Sequence, residues 1–181
     1  ATRNGSFVLT SNRDERASRP TKAPVIYQEG DLKIAYPKDE QSGGSWIAMS
    51  NQGKINCLLN GGFVRHQTQD YHTISRGIIL IDFTKSELSA NGFFAERELQ
   101  HVEPFTMVSI QQVAGKAITL TEIVWDGKNI HLRNPELTEA HIWSSTTLYT
   151  EEPRNLRKTW FADFLQKNHL DITILNLLQI S

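Results

Sequence analysis

The stretch that most narrows the fold is a pair of short runs, Ser45 to Ser50 and Lys54 to Leu59, on either side of Asn51-Gln52-Gly53. Two runs of strand formers joined by a tight Gly-containing turn specify a β-hairpin, and so an antiparallel pair. Both arms carry apolar residues on both faces, as in Ile55, Cys57, Leu58 and Leu59. Strands of that kind are buried on both sides, not half-solvated.

Other elements group around this hairpin. Asn4-Gly5 is a turn signal, and Ser6 to Thr10 after it reads as a strand. Asn12 to Pro24 is polar and holds two prolines, which predicts a loop. Lys33 to Tyr36 reads as a short edge strand ending at Pro37. Ser75 to Phe83 and Glu87 to Gln100 read as helices, the second interrupted by Asn91-Gly92. A second strand block follows at Thr106 to Gln112, Ala117 to Trp125 and Asn129 to Leu132, with turns at Ala114-Gly115-Lys116 and Asp126-Gly127-Lys128. His141 to Ser144 reads as one more short strand. Thr150-Glu151-Glu152-Pro153 opens a helix: a capping hydroxyl, early acids and a first-turn proline. Leu156, Trp160, Phe161, Phe164 and Leu165 make its apolar face, and Asp171 caps a last helix through Leu178. Strands, helices, strands, helices: that order predicts an α+β domain over residues 1–181, with two antiparallel sheets and helices outside them in four layers.

Charge and composition exclude several functions. Lys and Arg are scattered among Asp and Glu for a net charge of −1, so no basic stripe exists to bind nucleic acid. The longest apolar runs, such as Gly77 to Ile81, are too short to span a bilayer, and no signal-like leader is expected. One cysteine, Cys57, rules out an internal disulfide and a Cys-cluster zinc site; it fits a cytoplasmic setting, and a lone buried cysteine is most simply an apolar filler. No metal and no cofactor are expected, and the expected partner is a small-molecule substrate or ligand. The abrupt ends, Ala1 close to a strand and Ile180-Ser181 without a polar tail, lead us to expect further residues at both.

Two segments carry candidate chemistry. Ser11-Asn12-Arg13-Asp14-Glu15-Arg16, with Arg19 soon after, leaves the first strand; on spacing alone it is a strand-to-loop exit with an Asx turn. Asn60 follows a buried strand and precedes Gly61-Gly62, which serves either a plain turn or an amide donor that backbone or substrate approaches closely. Gly43-Gly44-Ser45-Trp46 lacks the Lys and the following helix of a phosphate loop and reads as a turn into a strand, with Trp46 in the core or lining a cleft. Trp125 and Trp143 are read in the same way, and Trp160 and Phe161 as the buried face of their helix.

Asn12-Arg13-Asp14-Glu15 is the signature of the NRDE family, the transport and Golgi organisation protein 2-like proteins, and the chain resembles that family over about its first four-fifths. Tyr36-Pro37-Lys38-Asp39, Gly43-Gly44-Ser45-Trp46, Leu58 to Gly62, Ser75-Arg76-Gly77, Glu103-Pro104-Phe105 and His141 to Ser145 are similar landmarks. The resemblance implies a four-layer αββα sandwich of the N-terminal-nucleophile hydrolase type. Family members begin Met-Cys; loss of Met would leave a nucleophilic cysteine whose own α-amine, titrating near about 7.7, acts as base. It would make the chain a cysteine amidohydrolase for a small amide or acyl substrate, with that cysteine upstream of Ala1. Asp14 would hold the amine, and Asn60 would donate to the oxyanion, a contact worth about 3 kcal/mol. Asn12 matches the Asn of the related Arg-Asn-x-Asp pattern, whose Arg falls on Ser11 here, with Arg13 as a neighbouring source of charge. Arg13 or Arg19 would bind a substrate carboxylate, while Ser144 and Ser145 stand where relatives carry a second oxyanion Asn. The alternative implied by the resemblance is a non-catalytic carrier of haem or lipid, with a cleft lined by tryptophans and His66 or His72.

Overall fold

The computed structural model describes residues 7–16, 18–112 and 117–167. Seven strands form one antiparallel sheet in sequence order: β1 (Thr21–Glu29), β2 (Leu32–Asp39), β3 (Ile47–Ser50), β4 (Lys54–Asn60), β5 (Phe105–Gln111), β6 (Thr119–Trp125) and β7 (Ile130–Arg133). Three helices complete the α+β architecture: α1 (Arg76–Lys85), α2 (Ala90–Glu96) and α3 (Glu151–Lys167).

Two strand blocks were expected to make two sheets; among the described residues they make one. β4 and β5 pair along their whole length, from Lys54 opposite Gln111 to Asn60 opposite Phe105, and so join the blocks. The intervening α1 and α2 cross one face. Ile79, Leu80 and Phe83 of α1 and Phe94 of α2 are buried there against Ile34, Phe105, Met107, Ile123 and Trp125. The Trp125 indole donates to the Val102 carbonyl at 2.9 Å, as a buried indole must.

The opposite face is also apolar. Val108, Ile110 and Leu120 are buried on it, joined by Phe7, Leu9, Ile55, Leu59 and Trp143. Of the strand expected from Ser6 to Thr10, the described residues pair with no strand and bring Phe7 and Leu9 onto this face. His141 to Ser144 likewise forms no strand; its Trp143 packs onto this face.

Local sequence explains the remaining boundaries. β1 begins at Thr21, inside the predicted loop, and β2 runs through Pro37 to Asp39. Their register slips between Lys22 and Val25, the stretch that holds Pro24. A bulge on an edge strand is where a residue without an N–H is tolerated. Gly53 and Gly127 take φ of 80° and 97° in the two predicted turns. The Asp126 carboxylate also accepts the Lys128 and Asn129 amides, which fixes the second turn. The predicted turn at 114–116 and last helix at 171–178 lie outside the described residues.

The two helices over the first face start at serines. Ser75 accepts from the Gly77 amide and Ser89 from the Gly92 amide. Asn91-Gly92, read as an interruption, is therefore the first turn of α2, which is shorter than the expected 87–100. At its other end α1 is closed by Lys54, only 2% exposed, whose Nζ donates to the carbonyls of Phe83, Ser86 and Leu88. Burial pulls this ammonium down to about 8, while Glu87 favours its charge. Beside it Asn56 donates to Thr84 Oγ1 at 2.8 Å, so β4 is tied to α1 by polar contacts as well as apolar ones.

The α3 helix starts where predicted but lacks the predicted burial. None of its described side chains is buried, and Trp160 is 55% exposed, because the helix faces a cavity instead of packing onto the sheet.

Candidate functional site

Between the second sheet face, the Phe7–Glu15 segment, residues 137–149 and α3 lies a cavity of about 930 Å³. Asn12, Arg13, Asp14, Arg19, Trp46, Asn60, Ser144 and Ser145 all contribute to its wall, so one hollow gathers nearly every candidate residue. Gly61 does not line it.

The signature segment is anchored by charge. Arg13 Nη2 lies 2.7 Å from Asp39 Oδ2, and its guanidinium sits 5.1 Å from the Trp46 ring centroid. Arg19 reaches the same carboxylate through Nε at 2.8 Å and Nη2 at 3.1 Å, and also pairs with Glu15 at 2.9 Å. Asp39 further accepts the Ser42 amide and hydroxyl. Although burial opposes its charge, these donors hold the Asp39 carboxyl well below the usual carboxylate range. Two arginines and two carboxylates thus neutralise one another. Arg13 and Arg19, expected to face a nucleophile or a substrate carboxylate, spend their charge on Asp39 at the end of β2.

Asp14 points elsewhere. Its Oδ2 accepts a hydrogen bond from the Tyr149 phenol at 2.5 Å. That bond, with burial second, raises the phenol above its ordinary value. The Arg157 guanidinium stacks 3.7 Å over the Tyr149 ring. Tyr149 and Arg157 were not singled out from sequence; the signal that could have found them is their place flanking the start of α3 at Glu151.

Asn60 is half-buried at the end of β4. Its carbonyl accepts the Ser145 hydroxyl at 2.7 Å, and its side-chain amide has no protein partner among the described residues. That leaves an amide NH2 at the cavity wall. Ser145 is less available: besides donating to Asn60 it accepts the Leu148 amide at 3.2 Å, so its hydroxyl builds the 145–149 turn. Ser144 is half-buried in the wall, with no protein partner for its hydroxyl among the described residues. Asn12 is exposed at the cavity margin.

Gly61, expected to let backbone or substrate approach closely, lies against Thr146 and Thr147. At φ of 91° an added Cβ would lie 2.1 Å from Thr146 Oγ1. A similar close approach explains Gly44 and Gly77: a Cβ on Gly77 would meet the Ser45 amide nitrogen at 2.6 Å. These glycines let the start of α1 and the 145–147 turn press on strand ends.

Cys57 also borders the cavity, and burial pushes its thiol up, as befits an inert filler. Among the described residues His66 and His72 stand apart from the cavity that Trp46, Trp143 and Trp160 line. His66 pairs with Glu103 at 3.0 Å, and His72 Nδ1 accepts the Gln69 amide; neither lines the cavity. His141 does, but its Nε2 is 2.7 Å from the Glu136 carbonyl and its ring packs on Trp143. Among the described residues no cluster of His, Cys, Asp and Glu could hold a metal ion, and no helix is long and apolar enough to cross a membrane.

No individually curated protein matches the chain. A family model does: that of Transport and Golgi organisation 2 matches residues 2–181, almost end to end. With the Asn12-Arg13-Asp14-Glu15 signature built into the cavity wall, the chain belongs to the Transport and Golgi organisation 2 family.

Proposed function

We propose that this chain is a cysteine amidohydrolase of the N-terminal-nucleophile kind, acting on a small amide or acyl substrate in the cytoplasm. The observation that carries the reading is the division of labour in the signature: Arg13 and Glu15 are consumed by ion pairing, whereas Asp14 faces the cavity and is fixed by one phenol. A carboxylate so held can orient an α-amine, and that amine can take the proton from its own thiol as the thiol attacks a carbonyl. The unpartnered Asn60 amide supplies an oxyanion donor. The nucleophile belongs to a segment preceding Phe7. The apolar second face of the sheet supports the αββα sandwich in which further strands cover it, within one domain.

The test is hydrolysis of acyl-p-nitroanilides by protein carrying its native first residue. Asp14→Asn should abolish release of p-nitroaniline, and Asn60→Ala should lower kcat by about a hundredfold or more. Unchanged turnover in Asp14→Asn would remove the basis of the reading.

One observation favours a second reading, a non-catalytic small-ligand carrier on the same scaffold. Ser145, at the second oxyanion position of related hydrolases, spends its hydroxyl on the Asn60 carbonyl. A carrier would bind lipid-like ligands equally well in wild type and Asp14→Asn while releasing no p-nitroaniline in either.

A further inference from the structure

The arginines around the cavity do not share one fate. Arg13 and Arg19 are paired with Asp39 and Glu15, and Arg76 is paired with Glu103 at 3.3 Å. Arg157 has no carboxylate partner among the described residues; its polar contact is with the Pro153 carbonyl at 3.5 Å. It lines the cavity, half-buried, with its guanidinium carbon 3.7 Å over the ring centroid of Tyr149, whose hydroxyl holds Asp14. One phenol ring therefore separates an unpaired guanidinium from the carboxylate assigned to the reacting centre.

We infer that Arg157 is the substrate's carboxylate receptor, and that the substrate class is an N-acyl amino acid. This rests on the amidohydrolase reading. In such a molecule the carboxylate stands one carbon from the amide nitrogen, so a carbonyl attacked beside Asp14 places the negative charge about one ring's length away. The planar guanidinium, pinned by stacking, offers two parallel N–H groups to the two carboxylate oxygens, and being held beforehand loses little freedom on binding. Hydrolysis is balanced by water alone: the amide C–N bond breaks, the acyl carbon gains the water oxygen as a carboxylic acid, and the amino acid leaves with the remaining proton.

The probe pair is phenylacetylglycine and its neutral methylamide, titrated calorimetrically into the full chain. Wild type should prefer the anion roughly tenfold or more, the worth of a hydrogen bond to a charged group. Arg157→Gln should bind both probes alike, at the wild-type affinity for the methylamide, whereas Arg157→Lys should keep part of the preference. Tyr149→Phe retains the ring and should retain the preference. The assignment is overturned if wild type shows no preference, or if Arg157→Gln keeps it while Arg13→Gln or Arg19→Gln loses it. Binding needs no turnover, so a preference carried by Arg157 without any hydrolysis would defeat the amidohydrolase reading and leave the carboxylate receptor standing.

Discussion

Replacing Asp39 by Asn should unlock the signature segment. The Asp39 side chain is 8% exposed and its partners Arg13 and Arg19 are 20% and 33% exposed, so the cluster lies between a buried ion pair and a surface one. Removing one member of a buried pair costs about 3–5 kcal/mol, whereas a surface pair contributes about 0–1. With two guanidiniums stranded but each within reach of water, the expected loss is about 2–3 kcal/mol. For a chain of this size that lowers Tm by roughly 4–12 °C. The pH dependence has a definite sign. Because the folded carboxyl titrates below its unfolded value, its stabilisation is complete above the ordinary carboxylate range and fades as pH falls through that range towards the folded value. The gap between wild type and Asp39→Asn should therefore narrow progressively below about pH 4. Urea unfolding at pH 7 and pH 3 measures the gap, and hydrogen exchange should show the Arg19 and Ser42 amides, bonded to the Arg16 carbonyl and to Asp39, losing protection first. A difference under about 0.5 kcal/mol at pH 7, or one that does not change with pH, would refute the reasoning.

Three further outcomes follow from particular contacts. Gly61→Ala should destabilise the fold by more than about 1 kcal/mol, since both its φ of 91° and the 2.1 Å approach of Thr146 oppose a Cβ; thermal unfolding measures it. Lys54→Met should cost about 2 kcal/mol or more by leaving the Phe83, Ser86 and Leu88 carbonyls without their donor, seen as faster exchange at the end of α1. Ultraviolet titration should find the Tyr149 phenol ionising above the ordinary tyrosine range, and Asp14→Asn should move that transition down; an unmoved titration would break the Tyr149–Asp14 link.

What could be read from sequence was mostly what local chemistry decides. The turns at Gly53 and Gly127, the helix starting at Ser75 and the helix after Thr150 depend on a few adjacent residues, and each stands close to where it was expected. β1 was missed because Pro24 and its polar neighbours read as a loop, while pairing with β2 through a bulge makes them a strand. The number of sheets depends on whether β4 meets β5 across the whole helical insertion, which no local pattern encodes. The site divides in the same way. The signature was legible, and its residues do gather at one cavity. The partners that give each member its task were not: Asp39 is 26 residues from Arg13, and Tyr149 is 135 from Asp14. Arg157 stayed hidden among ordinary helix-surface charges until the pairing of its neighbours left it alone.

The most direct trial is chemical labelling of the native protein's first residue. Iodoacetamide, followed by mass spectrometry of the N-terminal peptide, should place one adduct on a terminal cysteine and stop p-nitroanilide hydrolysis in step with labelling. In Asp14→Asn that labelling should slow, because the amine that activates the thiol is no longer held. A mature first residue that is not cysteine, serine or threonine, or full hydrolysis after complete labelling of a terminal cysteine, would contradict the account.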